Sequence, residues 1–387
     1  VVMLELALKG DKKYWSWIAG LLVVIGGGFL VYLWQLDFGL GITGMSRDVS
    51  WGFYIANFTF LVGVAAGGVM VVLPYYLHNY KAFGKITILG EFLAIGAICM
   101  CMTFILVDLG QPNRALNVFL HPTLNSVLFW DSMVLTGYLL LNLIVGWNVL
   151  EAERQGVHYP GWVTPLIYIS IPFAVSIHTV TAFLFCGLPG RGFWLTAILA
   201  PRFLSSAFAA GPALLILIAM FIRKVTNFDP GKEQIQSLAK IVAYAICLNV
   251  FFLLCEVFVV FYSNIPEHKD HLVYLFAGLH GHGAYVPWMW GSVTLMALGI
   301  VLLVNPVTRK NETILAVGCA AIFLGTWIDK GMGMISGGFV PNPMHHVNEY
   351  IPTVPEIMIS LGVYGIGALV ITLLYKMAVS VKIEVGG

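Results

Sequence analysis

Four ionisable side chains stand where few are expected. Asp108 ends the stretch FILVD, His178 lies in SIHTVTAF, Glu256 in LLCEVFVVFY and Asp329 in TWIDKGMG. Their surroundings are apolar, in a chain with 10% charged and 59% hydrophobic residues. A carboxylate or imidazole in hydrocarbon is expensive unless it is paired or used. Such groups are therefore candidates for accepting and releasing protons. Asp108 is followed by GQPNR, in which Gly110 and Pro112 turn the chain and Arg114 supplies a counter-charge. Tyr54, Asn57, Ser205 and Ser206 fall at a similar depth. Glu91 stands apart: it precedes Asp108 by 17 residues, about 25 Å along a helix. It marks either the opposite end of a proton route or a side chain reaching out to the headgroups. Asp131, Lys330 and Glu356 complete the set of ionisable groups in apolar stretches.

The elements that position these residues are membrane spans. The mean hydropathy is +0.89, whereas soluble domains are about half apolar and a quarter charged. Apolar runs of roughly 20 residues suffice to cross ~30 Å of hydrocarbon as helices, and their continuity argues against a barrel, whose strands would alternate. Ten spans are expected, at 14–34, 51–78, 85–108, 126–149, 162–187, 203–223, 238–263, 285–304, 312–331 and 355–378. The fold class is all-α integral membrane, with no room for a separate soluble domain. The opening stretch VVMLELALKGDKKYW has no cleavage-site pattern, so no removable signal peptide is expected. Fourteen of the 20 Lys and Arg residues fall on the side of the termini, which assigns that side to the cytoplasm of a cell membrane. Asp108, His178, Glu256 and Asp329 then lie in the outer half of the membrane.

An internal echo organises the spans. FLVGVAAGG, from Phe60, matches FLSSAFAAG, from Phe203, and the Ala-Ala-Gly triplets are offset by 144 residues. A parallel repeat follows. Spans 2–5 (51–187) form one four-helix bundle and spans 6–9 (203–331) a second, flanked by spans 1 and 10.

Metal and haem chemistry are not expected of this chain. The six cysteines lie in or at the ends of spans with no loop CxxC cluster, which argues against an iron–sulfur or zinc site. Of ten histidines only His178 is well inside a span, and a bis-histidine haem needs paired ones. No metal and no nucleic-acid partner are expected. The arrangement suits a lipid-borne hydroquinone, whose oxidation releases two electrons and two protons. Asp108 and His178 would accept the protons, and the electrons would require a partner carrying redox centres. Two other readings fit the same residues: a secondary transporter with an internal repeat, and a purely structural anchor.

WGFYIANFTFLVGVAAGG (51–68), DLGQPNR (108–114), NSVLFWDS (125–132), SIHTVTAF (176–183) and WIDKGMGMISGGFVPNP (327–343) together resemble the NrfD/PsrC-like membrane subunits. The resemblance spans essentially the whole chain, and within the family is strongest to subunits of sulfite-reduction-associated (Dsr), Hmc and Hme-type complexes. It implies menaquinone or menaquinol binding without haem, and anaerobic respiratory electron transport. It also implies a ferredoxin-like iron–sulfur subunit on the outer face, with further cytochrome or membrane subunits. By motif position it implies a quinol pocket at Tyr54, Asn57, Asp108, Arg114 and His178. Glu91, Glu256 and Asp329 become candidates for a proton path. No second carboxylate follows Thr181 in sequence to relay a proton from His178.

Overall fold

The computed structural model describes residues 2–78 and 80–386. Ten of its helices are long and apolar enough to cross a bilayer. They are α1 Lys12–Ile42, α2 Phe53–Leu77, α3 Thr87–Asp108, α4 Val127–Gln155, α5 Val163–Cys186, α6 Leu199–Val225, α7 Lys232–Ser263, α8 Val286–Val304, α9 Glu312–Phe339 and α10 Val354–Glu384. Several extend beyond the hydropathy boundaries. Helix α4 continues through EAERQ and α7 begins with KEQIQS. These polar turns lower a hydropathy average but satisfy their backbone hydrogen bonds as any helix does. Helix α9 also outruns expectation, passing through a π-helical turn at Ile328–Gly333 and on to Phe339.

The helix ends have local causes. Asp11 accepts the Tyr14 N–H at 2.9 Å before α1, and Asn311 accepts those of Thr313 and Ile314 before α9, each satisfying otherwise orphaned donors. At α10, Glu356 reaches back to the Thr353 N–H at 2.8 Å. The segment TVPE is thus one half of a capping box with proline in the first turn. Helices α4 and α7 end in the left-handed residues Gly156 (φ 67°) and Asn264 (φ 51°).

Packing follows chain order. Helix α2 lies against α3 and α5, and α4 against both α3 and α5; α6 lies against α7 and α9, and α8 against both α7 and α9. Helices α2 and α6 join the two sets at a seam of small residues. A Cβ built on Gly67 would stand 2.6 Å from the Cα of Gly211, and one on Gly211 2.7 Å from the Cα of Gly67. These are the two glycines that the internal echo aligns, and only hydrogen at both allows this approach. Helix α10 packs on α1 and α3, with Gly28 and Gly362 in similar contact. Helix α2 is the most enclosed span and α1 the least.

Candidate functional site

Two assemblies, one ionic and one apolar, occupy the half of the helix bundle opposite the termini. The first is a buried ion cluster between the two helix sets. Arg202, near the start of α6, donates to Glu256 of α7 at 2.6 Å and to both carboxylate oxygens of Asp329 on α9 at 2.8 and 2.9 Å. All three are buried. The π-helical turn carries Asp329 and Lys330. These neighbours point to different partners: Lys330 Nζ meets His178 Nε2 of α5 and lies 4.5 Å over the Phe203 ring. Two acids and two bases balance each other's formal charge where water is excluded. The Nδ1 of His178 has no partner. One turn further along α5, Thr181 donates to Asp131 of α4 at 2.6 Å.

The second assembly is an apolar cavity of about 420 Å³ between α2, α8, α9, α10 and the loop before α10. Phe53, Tyr285, Trp288, Trp327, Tyr350 and Ile357 supply most of its wall. Trp288, Ile351 and Ile357 are exposed, so the cavity opens sideways at the apolar surface. Its polar end is Tyr350. That hydroxyl donates to Glu356 at 2.5 Å and accepts the Phe53 N–H at 2.7 Å. Glu356 is fully buried and also accepts the Gly44 and Thr353 N–H groups, each at 2.8 Å. The Trp327 wall is fixed from behind, because its indole N–H donates to Asn57 at 2.9 Å, as does the Tyr364 hydroxyl at 2.8 Å.

The residues singled out from sequence divide between these places. Asn57 holds the cavity wall. Tyr54, next to Phe53, donates to Gln35 at 2.7 Å, and Gln35 donates to the Val107 carbonyl at 2.6 Å, which ties α1, α2 and the end of α3 together. Asp108 terminates α3 with a buried Oδ1 that has no partner. Arg114 is exposed on a short 3-10 turn, and among the described residues no ion pair joins it to Asp108. His178 is deeper. It adjoins Gly63, nine residues along α2 from Tyr54 and so about 13 Å further in. Neither Asp108 nor His178 lines the aromatic cavity: Asp108 closes α3, and His178 meets Lys330 in the ion cluster.

Glu256 and Asp329 are both bound to Arg202. Asp329 and Lys330 do not neutralise each other as sequence neighbours. Glu91 is buried on α3 beside Gly146, with Oε2 unpartnered, and does not reach the headgroups. Sequence reasoning missed Arg202 because it lies just outside the hydropathy window. It missed Asp131 as the partner of Thr181 because the carboxylate arrives from another helix. Tyr350 carries no signal of its own, whereas the capping pattern TVPE was a signal by which Glu356 could have been singled out. Among the described residues no three His, Cys, Asp or Glu side chains converge as metal ligands would.

Fold and interior together define a multi-pass all-α membrane protein with a balanced ion cluster and an aromatic cavity. The chain belongs to the family described as "Polysulphide reductase, NrfD", whose pattern matches residues 41–332. Phe53, Trp327 and the ion cluster fall within that match, and Tyr350 and Glu356 beyond it. Similar proteins include a putative dimethyl sulfoxide reductase membrane subunit of Halobacterium salinarum, 27% identical over 92% of this chain and 89% of its own. The menaquinone reductase integral membrane subunit of Nitratidesulfovibrio vulgaris is 22% identical over 94% of this chain and 91% of its own. The Hdr-like menaquinol oxidoreductase integral membrane subunit of Archaeoglobus fulgidus is 22% identical over 78% and 74%.

Proposed function

We propose that this chain is the quinol-handling membrane subunit of a respiratory oxidoreductase complex, and that a menaquinol-type ring docks in the Phe53–Trp327–Tyr350 cavity. The observation that carries the reading is the cavity itself. It has apolar aromatic walls, one polar end and a sideways opening, and its volume of about 420 Å³ falls in the roughly 300–1,000 Å³ typical of small-molecule sites. The names of two relatives refer to menaquinol or menaquinone, which supports the choice of quinone.

The chain's own contribution is binding and proton handling. The Tyr350 oxygen already accepts the Phe53 N–H, and keeps one lone pair for a hydroxyl in the cavity. It can take a proton there while passing its own to Glu356 along the 2.5 Å bond. Asn57 and Tyr364 keep the Trp327 wall from rotating. Asp108 and Tyr54 form a neighbouring polar patch within electrostatic reach of Glu356, suited to receiving the second proton. The depth of His178 supports a different part for it, holding charge with Lys330 rather than touching the ring. Glu256, Asp329 and Glu91 would belong to any proton translocation through the interior.

In this reading electrons leave to an iron–sulfur partner, with further cytochrome or membrane subunits completing the assembly. The partner's place would be the face opposite the termini, where the GLPGRG, PEHKDH and PNPMHH segments meet around a groove of about 310 Å³. The basic bias of the terminal side supports cytoplasmic termini. The test is to fill the cavity mouth. Ala284→Phe should abolish quenching of tryptophan fluorescence by a short-chain naphthoquinone, together with quinol turnover, in a complex that still assembles. Unchanged quenching and turnover would remove the cavity from the mechanism.

A further inference from the structure

Helices α7 and α8 do not close on each other over their whole length. Toward the side opposite the termini they leave an apolar groove of about 340 Å³. Val250, Leu254, Val257 and Phe261 supply the α7 wall, and Trp290, Val293, Ala297 and Ile300 the α8 wall. Both sets recur at steps of three and four residues, so each is one stripe of its helix. Leu272 and Phe276, from the Pro266–Phe276 helix, close the outer end. Leu254, Phe261, Trp290 and Ala297 are exposed, so the groove opens sideways toward the bilayer. Its lining side chains are apolar, and the Trp290 indole N–H is already taken up by the Phe276 carbonyl at 2.9 Å.

Water finds no partners in such a groove, and a void would forfeit dispersion contacts along its walls. In a bilayer, hydrocarbon fills it, and two observations say which. The first is depth. Val250 and Phe261 are eleven residues apart, about 16 Å along a helix, and half of the ~30 Å hydrocarbon core is ~15 Å. The groove therefore spans one leaflet, as an acyl chain does, whereas a partner's membrane helix would need a seat across both. The second is charge. The α7 stripe continues from Phe261 to Asn264, and the stripe of Leu272 and Phe276 continues one turn back to Lys269. Lys269 Nζ donates to Asn264 Oδ1 at 2.9 Å, which sets an ammonium with two further donors at the outer end of the groove. The neighbouring acids face elsewhere. Glu267 lines the separate polar groove with Arg191, and Asp270 lies 3.8 Å from His345 Nδ1.

We propose that this groove binds one phospholipid of the leaflet opposite the termini, with an acyl chain between α7 and α8 and the phosphate on Lys269. The lipid completes the contact that the two helices leave open. Among the described residues the groove shares no lining side chain with the aromatic cavity, so its occupancy does not depend on what that cavity binds.

The experiment counts phospholipid on the intact complex by native mass spectrometry, after detergent washing and again during titration with dioleoyl phosphatidylglycerol. The native complex should carry one phospholipid more than Ala297→Phe, in which the added ring fills the groove from an exposed position. Val301→Phe, at an exposed α8 position outside the groove, should bind as the native protein does. Lys269→Gln should raise the concentration for half-occupancy about two- to fivefold, the worth of one exposed ion pair. Dioleoylglycerol, which has the chains but no phosphate, should bind the native protein and Lys269→Gln alike. Equal phospholipid counts in the native and Ala297→Phe complexes overturn the site. A quinone or detergent mass in place of phospholipid, or a cross-link from a photoreactive group at position 297 to another subunit, overturns the choice of occupant. Unchanged half-occupancy in Lys269→Gln overturns the phosphate contact.

Discussion

Replacing Arg202 by leucine tests the balanced interior most directly. The guanidinium makes three charge-assisted bonds, at 2.6, 2.8 and 2.9 Å, to two carboxylates from different helices. With charge centres about 4 Å apart and an effective dielectric of about 20, each pair attracts by about 4 kcal/mol. Part of this is offset by desolvation of the ions. Breaking a buried pair by removing one partner typically costs about 3–5 kcal/mol, and here one cation serves two acids. Arg202→Leu should therefore lower stability by at least about 3–5 kcal/mol. In thermal unfolding of the detergent-solubilised protein that is about 4–6 °C for a chain of 387 residues. Charge balance makes a sharper claim. Arg202→Leu with Glu256→Gln removes one charge of each sign, so Asp329 and Lys330, which point to different partners in the native protein, leave the cluster formally neutral again. The double variant should be more stable than Arg202→Leu alone, with a coupling of about 1–3 kcal/mol. If the two losses simply add, the four groups do not form one balanced unit, and Lys330 is not acting as its second cation.

Three further outcomes follow from the same geometry. Tyr350→Phe leaves the Phe53 N–H without its acceptor and Glu356 Oε1 without its donor, while Oε2 keeps the Gly44 and Thr353 N–H groups, at a cost of about 1–3 kcal/mol. Quinol turnover should fall more than analogue binding, as steady-state kinetics beside a binding titration would reveal. Gly211→Leu drives a side chain into the Gly67 backbone, where even a Cβ would stand at 2.7 Å. It should prevent the two helix sets from closing, read as loss of the monodisperse peak in size-exclusion chromatography, whereas the same change at Gly26, which has open space around it, should be tolerated. Asp108→Asn keeps the shape of the acid but not its proton affinity, and should slow quinol turnover about tenfold or more. Normal turnover in that variant removes Asp108 from proton handling.

Membrane topology was legible because it depends on local composition. A helix crossing hydrocarbon needs about 20 apolar residues in succession, so ten such runs fixed ten helices and an all-α fold. The same cost of stranded polarity marked Asp108, His178, Glu256 and Asp329 as unusual before any contact was known. The paired Ala-Ala-Gly triplets were visible as an internal echo, but only the fold brought Gly67 and Gly211 together at the α2–α6 seam. What each ionisable group does was decided only in three dimensions. Arg202 binds a glutamate 54 positions away and an aspartate 127 positions away, and the rotation of each helix about its axis, not sequence spacing, sets that choice. Adjacent Asp329 and Lys330 part company because successive residues on a helical turn face different neighbours. The cavity was invisible for the same reason. Its wall comes from four helices and two loops, and a void between packed surfaces is a property of their fit, encoded by no one segment.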